Sequence, residues 1–132
     1  MTIRAQSTIA PGSAQQLLFV KRAADMTVAT DQSFTKVGSF TTYVPLNIVA
    51  NRVSGAFGTA CAGGIYSAAA KGGAAIVAAG QSWAALTGAN TAVSATIAAT
   101  AASFTATPIL SLTTGNTGAP TADVFVFGVV VD

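Results

Sequence analysis

Hydrophobic and polar residues alternate along several stretches of the chain, with the period of two that half-buried β-strands show. Over residues 40–50 the even positions are mainly apolar, and the same alternation recurs over 93–97 and 110–113. Pro45 interrupts the first of these stretches. Because proline cannot donate a hydrogen bond to a neighbouring strand, we expect that strand to lie at a sheet edge or to carry a bulge at Pro45.

The rest of the chain offers shorter strand candidates, separated by turn signals rich in Gly, Asn and Asp. These candidates lie at 26–30, 33–37, 59–68, 74–79 and 124–131. Alanine in the middle of the chain also favours helix, but the chain has no Glu and is rich in Thr, Ser, Val and Gly, which weaken helices. One short helix around 81–86 stays open. The pattern as a whole predicts an all-β fold, a jelly-roll or β-sandwich of about eight strands.

The strand predicted at 124–131 is apolar on both of its faces. Its even positions carry Val and Gly, whereas its odd positions carry Phe125, Phe127, Val129 and Val131. A strand of this kind is covered on both sides. One cover is the core of the domain. For the other we expect a neighbouring subunit, with the N-terminal segment of the same chain as the alternative.

The N-terminal region differs from the rest. Residues 1–16 are largely polar, and residues 17–20 form a short apolar run that would add a strand to an exposed sheet edge. We therefore expect residues 1–24 to be an extended N-terminal arm or a first strand, and residues 25–132 to be a single β-sandwich domain. The residues expected at an interface are Leu17, Leu18, Phe19, Val20, Phe125, Phe127 and Val129.

The chain carries very little charge. Six basic and four acidic residues make up 8% of its 132 residues, where an ordinary soluble domain has about 25%. A surface so poor in charge is typical of a subunit in a larger assembly. The net charge of +2 is small and spread out, so we expect no nucleic acid partner, because nucleic acid binders show a clustered basic face.

The residues that usually carry chemistry are sparse. The chain has no His and one Cys, Cys61, which excludes an internal disulfide and predicts neither a metal site nor a cofactor. Asp25 and Asp31 lie in turn contexts, and Lys71 does not stand where a phosphate-binding loop would need it, so we read it as a solvated turn residue. We therefore expect no enzymatic activity and no catalytic residue.

Targeting signals and membrane spans are also not expected. The N-terminus lacks the apolar segment of about 7–15 residues that a secretory signal peptide needs. The Ala-rich tracts are interrupted by glycine pairs, such as Gly63 and Gly64, before they reach the length of about 20 apolar residues that a membrane helix needs.

Three segments carry a resemblance to a known family. They are DQSFTKVGSF, AGGIYSAAAKGGAAIVAAGQSWAALTG and LSLTTGNTGAPTADVFVFGVVVD. Together they resemble the small structural proteins encoded among the head genes of tailed bacteriophages, in particular the jelly-roll capsid decoration, or cement, proteins. The resemblance covers roughly residues 25–132 and is one of sequence style, without a diagnostic motif.

The resemblance implies a function. A protein of this kind is made in the host cytoplasm, binds the outside of the phage head and stabilises the capsid lattice by bridging major capsid subunits. It implies the major capsid protein as partner and a homo-oligomer, with a trimer favoured over a dimer. Tail and fibre jelly rolls share the style, so a tail or fibre module for attachment or for receptor or sugar binding remains the alternative, with Trp83 and Tyr66 as its candidate ligand surface.

Overall fold

The computed structural model describes residues 15–27, 29–55, 60–87, 91–98 and 102–131, and within these ranges the chain forms β-strands, turns and loops but no helix. The strands are β1 (Gln16–Asp25), β2 (Gln32–Ser33), β3 (Thr35–Lys36), β4 (Tyr43–Ser54), β5 (Ala62–Ala68), β6 (Gly72–Val77), β7 (Ala92–Ala95), β8 (Ile109–Thr114) and β9 (Thr121–Val130).

The strands form two antiparallel sheets. One has five strands in the order β3-β1-β9-β4-β7, and the other has four in the order β2-β8-β5-β6. Side chains from both sheets meet in one hydrophobic cluster, so the sheets form the two layers of a β-sandwich. The prediction of an all-β sandwich is confirmed.

The core lies between the inner faces of the sheets. Ile48 and Val126 reach it from the five-stranded sheet, and Ile65 and Leu110 reach it from the four-stranded sheet; all four are fully buried. The rings of Phe19, Phe40 and Tyr43 pack edge to face at one side of the core, with centroids 4.8 to 5.9 Å apart. Such aromatic pairs add to the stabilisation that burial alone provides.

The strand predicted at 40–50 is β4, and the irregularity predicted at Pro45 is present. The pairing of β4 with β9 shifts register between Pro45 and Asn47. On the other side of β4, the β7 ladder begins only at Ile48. Pro45 therefore lies at a bulge and outside the β7 ladder, which is where a residue without an N–H donor disturbs the sheet least.

In the described residues, neither the strand predicted at 26–30 nor the helix left open at 81–86 is formed. The strand expected at 26–30 begins with a turn at Met26 and Thr27, and Val28 lies outside the described residues. The helix left open at 81–86 is a turn, closed by a hydrogen bond from the Leu86 N–H to the Trp83 carbonyl. The Trp83 N–H donates to the Cys61 carbonyl, so this turn is tied to the neighbouring β-structure instead of forming its own helix.

The stretch predicted as one strand at 33–37 contributes to both sheets. β2 pairs with β8 in the four-stranded sheet, whereas β3 pairs with β1 in the five-stranded sheet. Phe34 lies between the two strands and is buried. The chain therefore crosses from one layer to the other within this short stretch.

β1 lies inside the five-stranded sheet, between β3 and β9. It runs across the boundary predicted between residues 24 and 25, so the sandwich already includes the chain from Gln16 onwards. Residues 1–14 of the expected arm lie outside the described residues.

Candidate functional site

The two faces of β9 have different surroundings. Ala122, Val124 and Val126 are fully buried in the core, whereas Phe125 and Phe127 are only half-buried. Because side chains alternate between the faces of a strand, the phenylalanines lie on the side of the sheet that is turned away from the core.

Half-buried apolar side chains continue across the strands on either side of β9. Phe127 lies opposite Leu17 of β1, and Phe125 lies between Val20 of β1 and Val49 of β4. Directly opposite residues share a face of the sheet and contact each other. We call this surface the outer face and define it by Leu17, Val20, Val44, Val49, Phe125, Phe127 and Val129, all of which are half-buried.

The most exposed large hydrophobic residues are associated with the same sheet. They are Val37, Leu46, Val53 and Val131, which are 41–48% exposed. Leu46 and Val53 occupy the positions of β4 that are skipped by its two register shifts against β9. In the described part of the four-stranded sheet no large hydrophobic side chain is exposed to this extent. Among the described residues, the exposed large apolar side chains are therefore concentrated on one of the two sheets.

The structure separates the residues that the sequence grouped as an interface. Phe125, Phe127 and Val129 lie on the outer face together with Leu17 and Val20. Leu18 and Phe19 do not, because they are 0% and 1% exposed and belong to the core of their own chain. The prediction that these two residues lie at an interface is therefore wrong. A register shift in β1 turns both of their side chains towards the core.

Val44 of β4 was not predicted to face outward. The alternation over 40–50 placed the even positions together on one face, and Ile48 and Ala50 are indeed buried. Val44, however, pairs with Val129 on the outer face. The bulge at Leu46 inserts one residue and reverses the alternation, so Tyr43 faces the core in place of Val44. In the sequence, Pro45 indicates that the alternation of the strand is interrupted at this point.

A charged group borders the outer face at a bulge in β1. The Arg22 guanidinium donates to Asp123 Oδ2 over 2.9 Å, and its carbon lies 5.3 Å from the centroid of the Phe125 ring. The Ala23 N–H donates to the other carboxylate oxygen of Asp123 over 2.8 Å. Ala23 has a φ of 47°, so the carboxylate holds a backbone conformation that is unfavourable for alanine. The exposed ion pair itself adds little stability.

The aromatic residues considered for ligand binding are not on the surface. Trp83 is fully buried, and its indole N–H donates to the Gly63 carbonyl over 3.1 Å. Tyr66 is 6% exposed, and its ring lies against Gly64, where a β-carbon would come within 2.9 Å of it. Neither residue presents an open ring face on which a sugar would stack.

Polar side chains on the four-stranded sheet are engaged in structural contacts. Asp31 accepts a hydrogen bond from the Ala70 N–H over 2.7 Å, which together with Ser111 lowers the pKa of its carboxyl group. The Lys71 ammonium donates to the Ser111 hydroxyl over 3.0 Å. Ser111 is fully buried, so its hydroxyl is not accessible to a substrate. Lys71 itself is an exposed turn residue, as its sequence context indicated, and its ammonium makes this additional contact.

The other candidates for chemistry are also part of local structure. Asp25 accepts hydrogen bonds from the side chain and the backbone of Thr27, which lower the pKa of its carboxyl group. Cys61 is buried and free, and burial raises the pKa of its thiol to about 11. The described residues contain no cluster of three or more His, Cys, Asp or Glu side chains that would hold a metal ion.

Within the described ranges, no helix has the length and apolar character needed to cross a membrane. The chain matches no protein-family model, no curated protein and no solved structure.

Proposed function

We propose that this chain is a structural virion protein that binds the outside of a phage head and stabilises the lattice by bridging major capsid subunits. The observation that carries the proposal is the outer face, where half-buried aromatic and aliphatic side chains run across three neighbouring strands. Large contiguous apolar patches on soluble proteins usually mark interaction sites. A subunit of a particle would bury such a face permanently.

The strand pairing supports a jelly roll. When β3 is set aside, the eight remaining strands pair from the outside of the sequence inward: β1 with β9, β2 with β8, β4 with β7 and β5 with β6. This nested order is what results when one long antiparallel hairpin rolls up into two sheets. Jelly rolls of this type include viral capsid domains. The proposed fold therefore agrees with the family that the sequence resembles.

The low charge of the chain supports the same function. With six basic and four acidic residues, the protein has few groups for recognising a partner over long distances. Contacts through the outer face would depend on apolar burial and on uncharged hydrogen bonds. Binding of this type is less sensitive to salt than binding through charged surfaces. A surface of this kind is suited to contacts that are kept permanently within a particle.

Self-association is part of the proposal. The outer face of one copy would pack against a neighbouring copy, in a trimer in preference to a dimer. A specific interface of this kind buries at least about 1,200 Å² in total. Light scattering of the purified protein measures the number of copies.

The decisive experiment adds the protein to undecorated heads and measures its occupancy and the temperature at which the heads release DNA. We expect decoration to raise this temperature, because a ligand that binds only the intact head stabilises it. Phe127→Asp should lower occupancy at least about tenfold, since burying an unpaired carboxylate costs several kcal/mol.

The matched control is Ala74→Asp, which places the same carboxylate at an exposed position of β6 on the other sheet. It should bind heads like the unmodified chain. Equal occupancy of both variants would show that decoration of the head does not depend on the outer face. Failure of the unmodified chain to bind heads would contradict the capsid assignment and favour a tail or fibre module.

A further inference from the structure

The turn between β5 and β6 has an unusual backbone. Ala70 and Lys71 have φ values of 57° and 58°, and among the described residues they are the only consecutive non-glycine pair with positive φ. The Gly72 N–H donates to the Ala69 carbonyl over 3.0 Å, which closes a turn around these two residues. A left-handed turn of this kind favours Asn and Gly, because the β-carbon of other residues approaches a backbone oxygen. The amino acids of this turn therefore disfavour the conformation that they adopt.

Two contacts from distant parts of the chain hold the turn in this conformation. The Asp31 carboxylate accepts a hydrogen bond from the Ala70 N–H over 2.7 Å, and the Lys71 ammonium donates to the Ser111 hydroxyl over 3.0 Å. Asp31 directly precedes β2 and Ser111 belongs to β8, so both contacts tie the turn to other strands of the four-stranded sheet. The closed turn, which we call the strap and define as residues 69–72, thus depends on these tertiary contacts.

The strap lies on the side of the four-stranded sheet that is turned away from the core. Ser111 stands between Leu110 and Leu112, and both leucines belong to the core cluster. Because side chains alternate along a strand, the Ser111 hydroxyl points to the opposite side. Even so, Ser111 is 0% exposed. The Lys71 side chain, whose ammonium reaches this hydroxyl, covers it there.

The residues of the strap do not belong to the core cluster. Ala69, Ala70 and Lys71 are exposed, and Gly72 is half-buried. Opening of the strap would break its two tertiary contacts, but it would keep the core intact and relax the strained backbone. Exposed segments of this kind open locally at a lower free energy than the whole domain unfolds.

We propose that the strap is a latch that opens without unfolding of the sandwich when the Asp31 carboxylate is removed or neutralised, and that opening uncovers the Ser111 hydroxyl on the surface of the four-stranded sheet. Hydrogen bonds from Ala70 and Ser111, and to a smaller extent the charge of Lys71, hold the pKa of the Asp31 carboxyl group below its ordinary value of 3.8. The latch therefore stays closed above that pH and opens as the pH falls through the lower folded-state value.

Thiol labelling of the full chain at neutral pH tests the latch. Ser111→Cys places a thiol under the strap, whereas the native Cys61 thiol is buried and reports unfolding of the whole sandwich. In this background we expect Asp31→Ala to raise the labelling rate of the introduced thiol at least about tenfold, because a hydrogen bond to a charged group is lost. The rate at Cys61 should not change. Equal rates with and without Asp31→Ala, or an equal rise at both thiols, would overturn the proposal.

Hydrogen exchange of the Gly72 amide is a second measurement, made without Ser111→Cys. This N–H is bonded to Ala69 within the strap and not to Asp31, so Asp31→Ala changes its exchange only if the strap opens. We expect Asp31→Ala to make the exchange at least about tenfold faster. Ala70→Gly should make it about threefold to tenfold slower, because glycine adopts positive φ without strain. Unchanged exchange in Asp31→Ala, or exchange that is not slowed in Ala70→Gly, would contradict the latch.

The matched control is Asp25→Ala. Asp25 also accepts hydrogen bonds in an exposed turn, but from Thr27 and not from the strap. This variant should leave the exchange of the Gly72 amide unchanged. An effect as large as that of Asp31→Ala would mean that the loss of any such carboxylate loosens the chain, and the latch would be refuted.

Acidification separates the charge of Asp31 from its side-chain volume. Below a pH of about 3.8 the Gly72 amide of the unmodified chain should exchange faster, after correction for the intrinsic rate, and Asp31→Ala should lack this response. The same response in both chains would overturn the role of Asp31. The strap and the outer face belong to different sheets, so these results decide the latch without deciding whether the protein binds heads.

Discussion

Gly128 lies at the centre of the five-stranded sheet, and its replacement by alanine tests how closely β4 and β9 approach each other. Gly128 pairs with Pro45 at the bulge in β4. A β-carbon built on Gly128 would overlap the carbonyl oxygen of Val44 and would lie 3.0 Å from the α-carbon of Pro45 and 2.9 Å from Cδ1 of Leu18. Cδ1 of Leu18 is the far end of a flexible side chain, but the other two atoms belong to the backbone of a paired strand.

The expected cost of Gly128→Ala follows from these contacts. To relieve the overlap, β4 would have to move back by about 1 Å at the bulge, since van der Waals repulsion rises steeply at such distances. Overpacking of this type costs about 1–3 kcal/mol, and weakening one or two ladder hydrogen bonds adds about 0.5–1.5 kcal/mol for each. We therefore expect the free energy of unfolding to fall by about 2–5 kcal/mol, a large part of the stability of a small domain.

The measurement is equilibrium unfolding in denaturant, with Gly80→Ala as the matched control. A β-carbon on Gly80 would meet no atom within 4 Å, so this variant should change the free energy of unfolding by less than about 1 kcal/mol. Both variants add the same methyl group, and only its surroundings differ. If Gly128→Ala is as stable as Gly80→Ala, the close approach of β4 and β9 at the bulge is wrong.

Three further predictions concern single groups. Hydrogen bonds lower the pKa of Asp25 and Asp31 below the ordinary value of 3.8, so their contribution to stability should be present above that pH and be lost as the pH falls through the lower folded-state values. Replacing both by Asn should flatten the dependence of the melting temperature on pH in this acidic window. Trp83→Phe should cost about 1–3 kcal/mol in chemical denaturation, because the buried Gly63 carbonyl loses its donor; an unchanged midpoint would contradict the hydrogen bond. Cys61 should react with a thiol reagent at neutral pH only after unfolding, since it is buried and its thiol pKa is about 11; rapid reaction of the native protein would show that the site is open.

Part of the outer face could be predicted from the sequence. Phe125 and Phe127 alternate with Val124 and Val126 in a run that is apolar at every position, so two covered faces follow from the period of a strand. Which of the two faces meets the core does not follow, because both patterns are equally apolar. The structure places the valines inward and the phenylalanines outward.

Other parts of the face depend on irregularities that a regular pattern does not predict. The run Leu17 to Val20 reads as one apolar block, and the register shift in β1 divides it between the core and the outer face. The bulge at Leu46 reverses the facing of Val44 in the same way. A bulge inserts one residue into an alternation of period two, so each bulge exchanges inside and outside for the residues that follow.

The amino-acid sequence by itself determined that this protein is built from β-strands, because alternation, turn residues and the lack of helix-favouring charged residues are local properties that act within a few positions. It also determined that the surface carries few charges. Only the tertiary structure decided which strands are neighbours, since pairing brings together residues far apart in the chain, such as Asp31 with Ala70 and Lys71 with Ser111. The free energy of such contacts depends on the whole packed arrangement of the two sheets, and no short stretch of sequence contains that information.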